Sequence, residues 1–328
     1  MTHGGKTLVA VPYVGEFGWE LMNWQGRVRW LTIHGGYEQT VVCAPRDRRA
    51  LYATPKLRPD IGFHPVTLLD LPGRANDDHR VDETGRAILA DELRKITESA
   101  ARQAMADFGL EEHETVFLSP DYRSELWTTN GGRQVFTELR HDVPIETDVV
   151  LVPRHRALAP ERNQPDDWWE ELAARLRNRG LSVEVYAPWF EEAVRQLSRA
   201  RLAVGASTGG LHLASLCRCP HYVWGSGPEV RWTRLGITNR QRYETIWNPF
   251  GTPCRYDEGG WQPPLEYVEE QVFRSLEEIG LARGPGRRGW SLKPQWRFKR
   301  GLARLLDSEG IGGRVPWRVR EIVRQRVV

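Results

Sequence analysis

Apolar runs alternate with amphipathic stretches along most of the chain. Apolar, β-rich runs predict strands, and apolar residues recurring every three or four positions predict helices. The predicted strands are Lys6–Val11, Glu38–Ala44, Thr115–Leu118, Asp148–Pro153, Ser182–Ala187, Leu202–Gly205 and His221–Trp224. The predicted helices are Trp19–His34, Arg46–Tyr52, Ala87–Phe108, Asp166–Arg179, Phe190–Arg201, Gly209–Cys217 and Pro264–Leu281. This alternation, with short connections, favours an α/β fold with parallel sheets covered by helices.

The length of the chain predicts more than one domain. With 328 residues, 40% of them hydrophobic and 27% charged, it fits a folded protein of about two domains. An irregular stretch ends near residue 147, and Gly284-Pro285-Gly286 breaks the chain again. We therefore predict an N-terminal domain at 1–147, a second domain at 148–283 and a C-terminal tail at 284–328.

The tail is strongly basic. Residues 284–328 contain 12 Lys and Arg against 3 Asp and Glu, a net charge of +9, which leaves residues 1–283 mildly acidic. Trp290, Trp296 and Trp317 are interleaved with these cations. Three interpretations stay open: an amphipathic segment on an anionic membrane, a segment tracking a nucleic-acid backbone, or a tail that packs on the first domain with its charge solvated.

Several classes of protein are excluded by what the sequence lacks. No apolar run reaches the roughly 18–20 residues that span a bilayer, and the N-terminal apolar run is too short for a signal peptide. Four cysteines without framework spacing predict reduced thiols and a cytoplasmic protein, with peripheral attachment to the inner membrane face if the tail binds lipid. There is no HExxH, P-loop or GxSxG motif and no metal-ligand cluster, so we predict neither metal nor cofactor.

One segment has the form of a phosphate site. Ser207-Thr208-Gly209-Gly210 follows a predicted strand and begins a helix, at the sheet edge where ligands of parallel sheets bind. Glycines allow close backbone approach, and the helix N-terminus attracts anions. The hydroxyls of Ser207 and Thr208 could bond to phosphate or simply cap the helix. We predict phosphate binding at these four residues, and His212 belongs to the same motif.

Two further strand ends add candidate side chains at the same edge. Arg154 ends the first strand of the second predicted domain, and Arg162 follows in the same loop. A guanidinium there could hold a diphosphate and neutralise the leaving nucleotide. Ser226 follows the strand His221–Trp224 and is a further candidate for substrate binding. The alternative for the arginines is a solvated basic loop.

Residues 198–214 resemble the donor-binding segment of the lipopolysaccharide heptosyltransferase family and related GT-B glycosyltransferases. Thr208, Gly209, His212 and Ala214 fall on matching positions, whereas Ser207 stands where the family has Asp. The strand His221–Trp224 and its Gly-Ser-Gly-Pro loop also look like the family. The resemblance covers about residues 148–235. It implies a GT-B fold, with two facing Rossmann-like domains and the site in the cleft between them.

The loop after the first strand is the candidate source of the base. Gly15-Glu16-Phe17-Gly18-Trp19-Glu20 brings two glycines and two carboxylates to the ligand edge of the first sheet. Gly15-Glu16 is similar to the Gly-Asp that heptosyltransferase-like enzymes carry there, with the acid as candidate base. A base must remove the proton of the acceptor hydroxyl. We predict that Glu16 does so, and that Glu20 is a first-turn acid facing the helix dipole.

Together with these residues, the resemblance implies a metal-independent glycosyltransferase, and the resemblance and the single candidate base imply that it inverts. Its partners would be a nucleotide-sugar donor and a glycan or lipid-linked acceptor, with an anionic membrane surface or nucleic acid as a partner of the tail. Three alternatives stay open: a DNA-modifying glycosyltransferase acting on a hydroxylated base, a nucleotide-sugar epimerase of the same fold, and a non-catalytic protein that binds nucleic acid or membrane.

Overall fold

The computed structural model describes residues 5–52, 61–66, 88–120, 133–157, 159–232, 237–244 and 246–281. Within them the chain forms two parallel sheets, the first in the N-terminal half and the second in the C-terminal half. The basic tail at 284–328, with its predicted membrane or nucleic-acid contacts, lies outside the described residues.

The first sheet has four parallel strands in the order β3-β2-β1-β4. They are β1 (Thr7–Ala10), β2 (Gln39–Pro45), β3 (Gly62–Val66) and β4 (Thr115–Leu118). Val9 and Val41 pack against one helix, whereas Ala10 and Val42 face the opposite layer, so the central strands are buried on both faces. The helices of this half are α1 (Phe17–Trp19), a π-helical turn (Glu20–Trp24), α2 (Gln25–His34), α3 (Arg49–Tyr52) and α4 (Ala90–Phe108).

The second sheet has five parallel strands in the order β11-β8-β7-β5-β6. They are β5 (Thr147–Val152), β6 (Val183–Val185), β7 (Ala200–Ala206), β8 (His221–Trp224) and β11 (Cys254–Asp257). β9 (Arg231–Trp232) and β10 (Ile237–Thr238) form a separate antiparallel pair. The helices are α5 (Asp166–Asn178), α6 (Phe190–Arg199), α7 (Gly209–Leu216), α8 (Asn239–Glu244) and α9 (Leu265–Leu281). The predicted α/β class is confirmed.

The two halves share one continuous apolar core. Phe17 of the first half meets Phe190 of the second edge to face, with ring centroids 6.2 Å apart. The same cluster of buried side chains includes Val42 and Leu21 on one side and Val152 and Leu211 on the other. An interface this apolar favours a fixed relation between the two sheets over free hinge motion.

Some elements differ from the sequence prediction. β3 and β11 were missed, because Pro65 interrupts one and charged residues alternate along the other, and short half-buried strands give weak periodic signals. The sequence also did not predict α8, because a helix of six residues is too short to show a clear periodic pattern. The predicted helix Trp19–His34 begins earlier and contains a π-helical turn, a distortion often found at functional sites.

Candidate functional site

A cavity lies where the carboxyl ends of the two sheets meet. Each sheet has a point at which the strand order reverses. In the first sheet it lies between β1 and β4, and in the second sheet it lies between β5 and β7. Ligands of open parallel sheets bind at such switch points. The cavity has a volume of about 120 Å³. Its described lining residues are Glu16, Phe17, Gly18, Trp19, Arg154, Arg156, Arg162, Ser207, Thr208, Gly209, His212, Asn239, Arg242, Trp247 and Trp261.

The turn before α7 forms one wall. Thr208 takes the N-cap position with an extended backbone but makes no side-chain capping bond, so helix capping does not account for its hydroxyl. The backbone N–H of Ser207 donates to the carbonyl of Trp224 at 2.8 Å, and the hydroxyl of Tyr243 donates to Oγ of Ser207 at 3.1 Å. Strand β8 and helix α8 thereby hold the turn in place.

Two glycines allow the halves to touch at this turn. A Cβ at Gly209 would lie 2.7 Å from Cδ1 of Phe17, and a Cβ at Gly18 would lie 2.5 Å from Cδ2 of His212. Both distances are far below van der Waals contact. Gly209 is therefore required by the approach of the first half, whereas the sequence had suggested the approach of a ligand.

His212 is a buried, neutral imidazole at the back of the cavity. Its ring stacks on Tyr243 at 5.0 Å and lies 4.4 Å from the ring of Trp247. Burial, with smaller contributions from Arg242 and His221, lowers the pKa of His212 to about 3. Its Nδ1 has no hydrogen-bond partner among the described residues. At neutral pH, His212 can offer a polar contact but no charge.

The loop after β5 carries three arginines. Arg154 is 2% exposed and donates from Nη1 to the carbonyl of Ala159 at 2.9 Å and to Oδ1 of Asn163. Burial, then the positive charges of Arg156 and Arg162, lowers the pKa of Arg154 to about 10, which still leaves it charged at neutral pH. The cations therefore repel one another, and an anion between them would relieve that repulsion.

Arg162 lies over the ring of Trp261, with 4.6 Å from its guanidinium carbon to the ring centroid. It also makes an ion pair with the exposed Glu161 at 3.5 Å. The predicted alternative of a solvated loop does not describe Arg154, which is buried. It describes Arg162 in part, because 34% of that side chain is exposed.

Glu16 faces the cavity and pairs with Arg156. Glu16 is the N-cap residue of α1, yet its carboxylate makes no capping bond. Instead, Oε1 accepts from Nη1 of Arg156, a residue 140 positions away in the other half. Their side chains are 28% and 12% exposed. The pair joins the two walls of the cavity.

Glu20 stands in the first turn of a helical segment, as the sequence suggests, but its carboxylate is buried among side-chain partners. It is 3% exposed, accepts a hydrogen bond from the hydroxyl of Tyr52 at 2.7 Å, and lies 3.6 Å from Nε of Arg48. Burial raises its pKa, opposed by Arg48 and Tyr52. The guanidinium of Arg48 lies over Phe17, at 4.1 Å from the ring centroid. This buried network supports the Glu16 loop from behind.

The remaining wall of the cavity is formed by residues that the sequence did not predict. It consists of Trp19 from the first half and Asn239, Arg242, Trp247 and Trp261 from the second. A signal was present in the unusual number of tryptophans, 14 in the chain. That composition could not say which rings meet at a cavity, since the loops after β8 and β11 carry no periodic pattern.

Three predicted residues do not line the cavity. Gly15 packs against Tyr13, whose hydroxyl would be 2.5 Å from an added Cβ. Gly210 lies one position deeper in α7 than the lining residue Gly209. Ser226 is buried, and its Oγ accepts from Nδ2 of Asn239 at 2.9 Å, so it supports a lining residue. The structure brings together the other predicted residues: Glu16, Arg154, Arg162, Ser207, Thr208, Gly209 and His212.

The cavity is strongly positive. Among its described lining residues, four arginines stand against one carboxylate, that of Glu16. The described part of the chain contains no group of three or more His, Cys, Asp or Glu side chains that could hold a metal ion. It also contains no helix that is long and apolar enough to cross a membrane. The site is therefore suited to a polyanion held by guanidinium groups.

Comparisons with family models and with curated proteins gave no match. Among solved structures, the chain is similar to a family 9 glycosyltransferase from Veillonella parvula, with 11% identity, a TM-score of 0.46, and coverage of 86% of this chain and 99% of that one. It is similar to the E. coli heptosyltransferase WaaC with ADP, at 15% identity and a TM-score of 0.37, over 84% and 99% of the chains.

The chain is also similar to the dodecameric iron-containing glycosyltransferase TibC from enterotoxigenic E. coli, at 14% identity and a TM-score of 0.38, over 84% of this chain and 77% of that one. Because these identities and TM-scores are low, the similarity carries no weight for activity. The α/β architecture rests on the strand pairing itself.

Proposed function

We propose that this protein is a glycosyltransferase that moves a sugar from a nucleotide-diphosphate-sugar donor to an acceptor hydroxyl. The observation that supports it most strongly is the cavity itself, in which four arginines and the turn before α7 surround one carboxylate. A diphosphate is the anion that such a fork of guanidinium groups fits, and a single carboxylate can serve as the base.

In the proposed reaction, Glu16 takes the proton of the acceptor hydroxyl. The acceptor oxygen forms a bond to C1 of the sugar, and the bond from C1 to the phosphate oxygen breaks with its electron pair passing to the leaving diphosphate. Ser207, Thr208 and Gly209 with Arg154 would hold that diphosphate, whose charge the arginines balance. One displacement with one base predicts inversion at C1 and needs no metal.

Donor binding would have to separate the Glu16–Arg156 pair. The cavity, at about 120 Å³, is smaller than the roughly 300–1,000 Å³ of pockets that hold drug-sized ligands. Phosphate oxygens compete with the carboxylate for Arg156 and would free Glu16 for the acceptor. Binding of donor before acceptor follows from this competition.

An epimerase is less well supported by the same residues. It needs an acid and a base on opposite sides of one sugar. Of the described lining residues, Glu16 can act as a base, but His212, with a pKa of about 3, is a neutral imidazole at neutral pH and a poor general acid. A transferase requires only the base.

The wider proposal concerns the acceptor and the setting. We take the acceptor to be a glycan, lipid-linked or at a surface, and the enzyme to act in the cytoplasm, at the inner face of a membrane when segment 284–328 binds lipid. Domains at 1–147 and 148–283 remain the proposed division. If the acceptor is instead a hydroxylated base in DNA, segment 284–328 would bind the nucleic acid.

The test begins with ADP, GDP, UDP, CDP and dTDP as probes of thermal stabilisation. A ligand at 100 times its Kd stabilises the folded state by about 2.7 kcal/mol. Nucleotide-sugars that contain the nucleotide that binds are then tested as donors. The release of free nucleoside diphosphate is measured without acceptor, with soluble glycan acceptors and with lipid-linked glycan acceptors. Release that depends on acceptor is expected.

Glu16→Gln should lower turnover by about 10²–10⁴-fold while the nucleotide still binds, because a general base contributes roughly that much. Glu112→Gln is the matched control, since Glu112 is an exposed carboxylate that does not line the cavity. Unchanged turnover in Glu16→Gln would remove Glu16 as the base. Release of nucleoside diphosphate at the same rate without acceptor would argue against transfer.

A further inference from the structure

Arg242 is held between tryptophans of both halves. Its guanidinium carbon lies 4.2 Å from the ring centroid of Trp247 and 5.4 Å from that of Trp19. Trp19 belongs to α1, in the loop that carries Glu16, and Arg242 is only 4% exposed. A buried guanidinium at this junction has its position fixed by packing from two directions.

Polar contacts hold the same side chain from the second half. Nη1 of Arg242 donates to Oδ1 of Asn239 at 3.5 Å, and Nδ2 of Asn239 donates to Ser226 at 2.9 Å. Arg242 also acts on His212, since its charge contributes, after burial, to the lowered pKa of that imidazole. The positive charge therefore lies beside α7, the helix that follows the proposed phosphate turn.

Arg242 comes from a different element than the other arginines of the cavity. Arg154, Arg156 and Arg162 share the loop after β5, whereas Arg242 lies on α8. A cation–π contact attracts a guanidinium without neutralising its charge. A buried and fixed cation such as Arg242 stabilises a nearby developing negative charge more than a cation in bulk solvent does.

We propose that Arg242 is a catalytic residue that binds the leaving diphosphate. Its guanidinium donates to a phosphate oxygen and balances the charge that gathers there as the bond from C1 to oxygen breaks, while the acceptor proton passes to Glu16. The inference rests on the proposed glycosyl transfer. The three arginines of the β5 loop would hold the diphosphate from one element and Arg242 from another.

Arg242→Gln is the test, and Arg240→Gln is the matched control. Arg240 lies on the same helix but is exposed and pairs with Glu244 at 3.1 Å and Glu258 at 3.5 Å. The probes are inorganic diphosphate and the nucleoside diphosphate, among ADP, GDP, UDP, CDP and dTDP, that stabilises the wild-type protein. The matching nucleoside, which has no phosphate, is measured alongside by calorimetry.

Arg242→Gln should weaken diphosphate and nucleoside diphosphate binding by about 10–100-fold, the range for a lost hydrogen bond to a charged group. The affinity for the nucleoside should change less than twofold. A general loosening of the cavity would instead weaken nucleoside binding as well. kcat should fall as well. Arg240→Gln should match the wild type in every measurement.

Diphosphate affinity and kcat within twofold of the wild type in Arg242→Gln would overturn the role of Arg242 and leave the proposed function standing. A wild-type protein that binds neither diphosphate nor any of the nucleotides would overturn both. If Arg242→Gln does not fold, Arg242→Met carries the test, because Met keeps an apolar side chain between the two tryptophans and removes the charge. Diphosphate affinity and kcat within twofold of the wild type in that variant would overturn the role as well.

Discussion

Arg156 donates from Nη1 to Oε1 of Glu16 and thereby ties the loop after β5 to the loop after β1. The carboxylate is the one acid among the described lining residues of the cavity, and its partner is one of four arginines there. The proposed base and part of the proposed phosphate site are therefore coupled. Whatever binds one of these two side chains changes the environment of the other.

The coupling predicts that Glu16→Gln strengthens nucleoside diphosphate binding. Without the carboxylate, Arg156 no longer has to be released before it can bind phosphate. A partly exposed ion pair contributes about 1 kcal/mol, which corresponds to roughly fivefold in Kd. Titration calorimetry of wild-type protein, Glu16→Gln and the Glu112→Gln control measures it. Weaker binding in Glu16→Gln would show that Glu16 does not compete with the ligand.

Gly18→Ala and Gly209→Ala should each destabilise the protein by about 1–3 kcal/mol, the usual cost of forcing extra atoms into a packed region. The new Cβ atoms would meet His212 at 2.5 Å and Phe17 at 2.7 Å. Denaturant unfolding measures the loss.

Gly227→Ala is the control for these two glycines. Its new Cβ would meet the carboxylate of Glu229, which is exposed and can move away. A loss in Gly18→Ala or Gly209→Ala no larger than in this control would mean that the two halves do not approach as closely as described.

Arg48→Met should destabilise the protein by about 3–5 kcal/mol. It removes the cation beside the buried carboxylate of Glu20, and breaking a buried pair from one side leaves an uncompensated charge. Turnover should fall too, because Arg48 packs on Phe17, next to Glu16. Arg49→Met, at the exposed neighbouring position, should cost about 0.5 kcal/mol or less. Equal losses in both variants would contradict the role of the buried network.

Two buried histidines predict a loss of stability in mild acid. Burial lowers the pKa of His212 to about 3 and that of His221 to about 4, from an ordinary value of 6.5 for histidine. Between these values the unfolded chain binds protons that the folded chain does not. Their contribution is therefore full above pH 6.5 and falls as the pH decreases, by up to about 1.4 kcal/mol per pH unit for each histidine.

Denaturant unfolding between pH 7.5 and pH 5 tests this dependence. His212→Gln should reduce the slope of the free energy of unfolding against pH by the contribution of one histidine. His221→Gln should reduce that slope by a similar amount. A slope in His212→Gln that equals the wild-type slope would mean that the imidazole binds its proton in the folded state as readily as in the unfolded chain.

The sequence predicted those parts of the site that follow from strand ends. Arg154 and Ser207 stand directly after strands with strong apolar patterns, and parallel topology brings such positions to one edge. The sequence could not predict that Arg156 would meet Glu16, because 140 positions separate them and only the packing of the two halves brings them together. It also could not place Arg242, which lies on a short helix without a periodic signal.

The central claim is that the arginine-lined cavity binds the diphosphate of a nucleotide-sugar. Calorimetric titration of wild-type protein and Arg154→Gln with ADP, GDP, UDP, CDP and dTDP tests it most directly. Binding of at least one nucleotide by the wild type, weakened about tenfold or more in Arg154→Gln, is the predicted result. No binding by the wild type, or equal binding by both proteins, would contradict it.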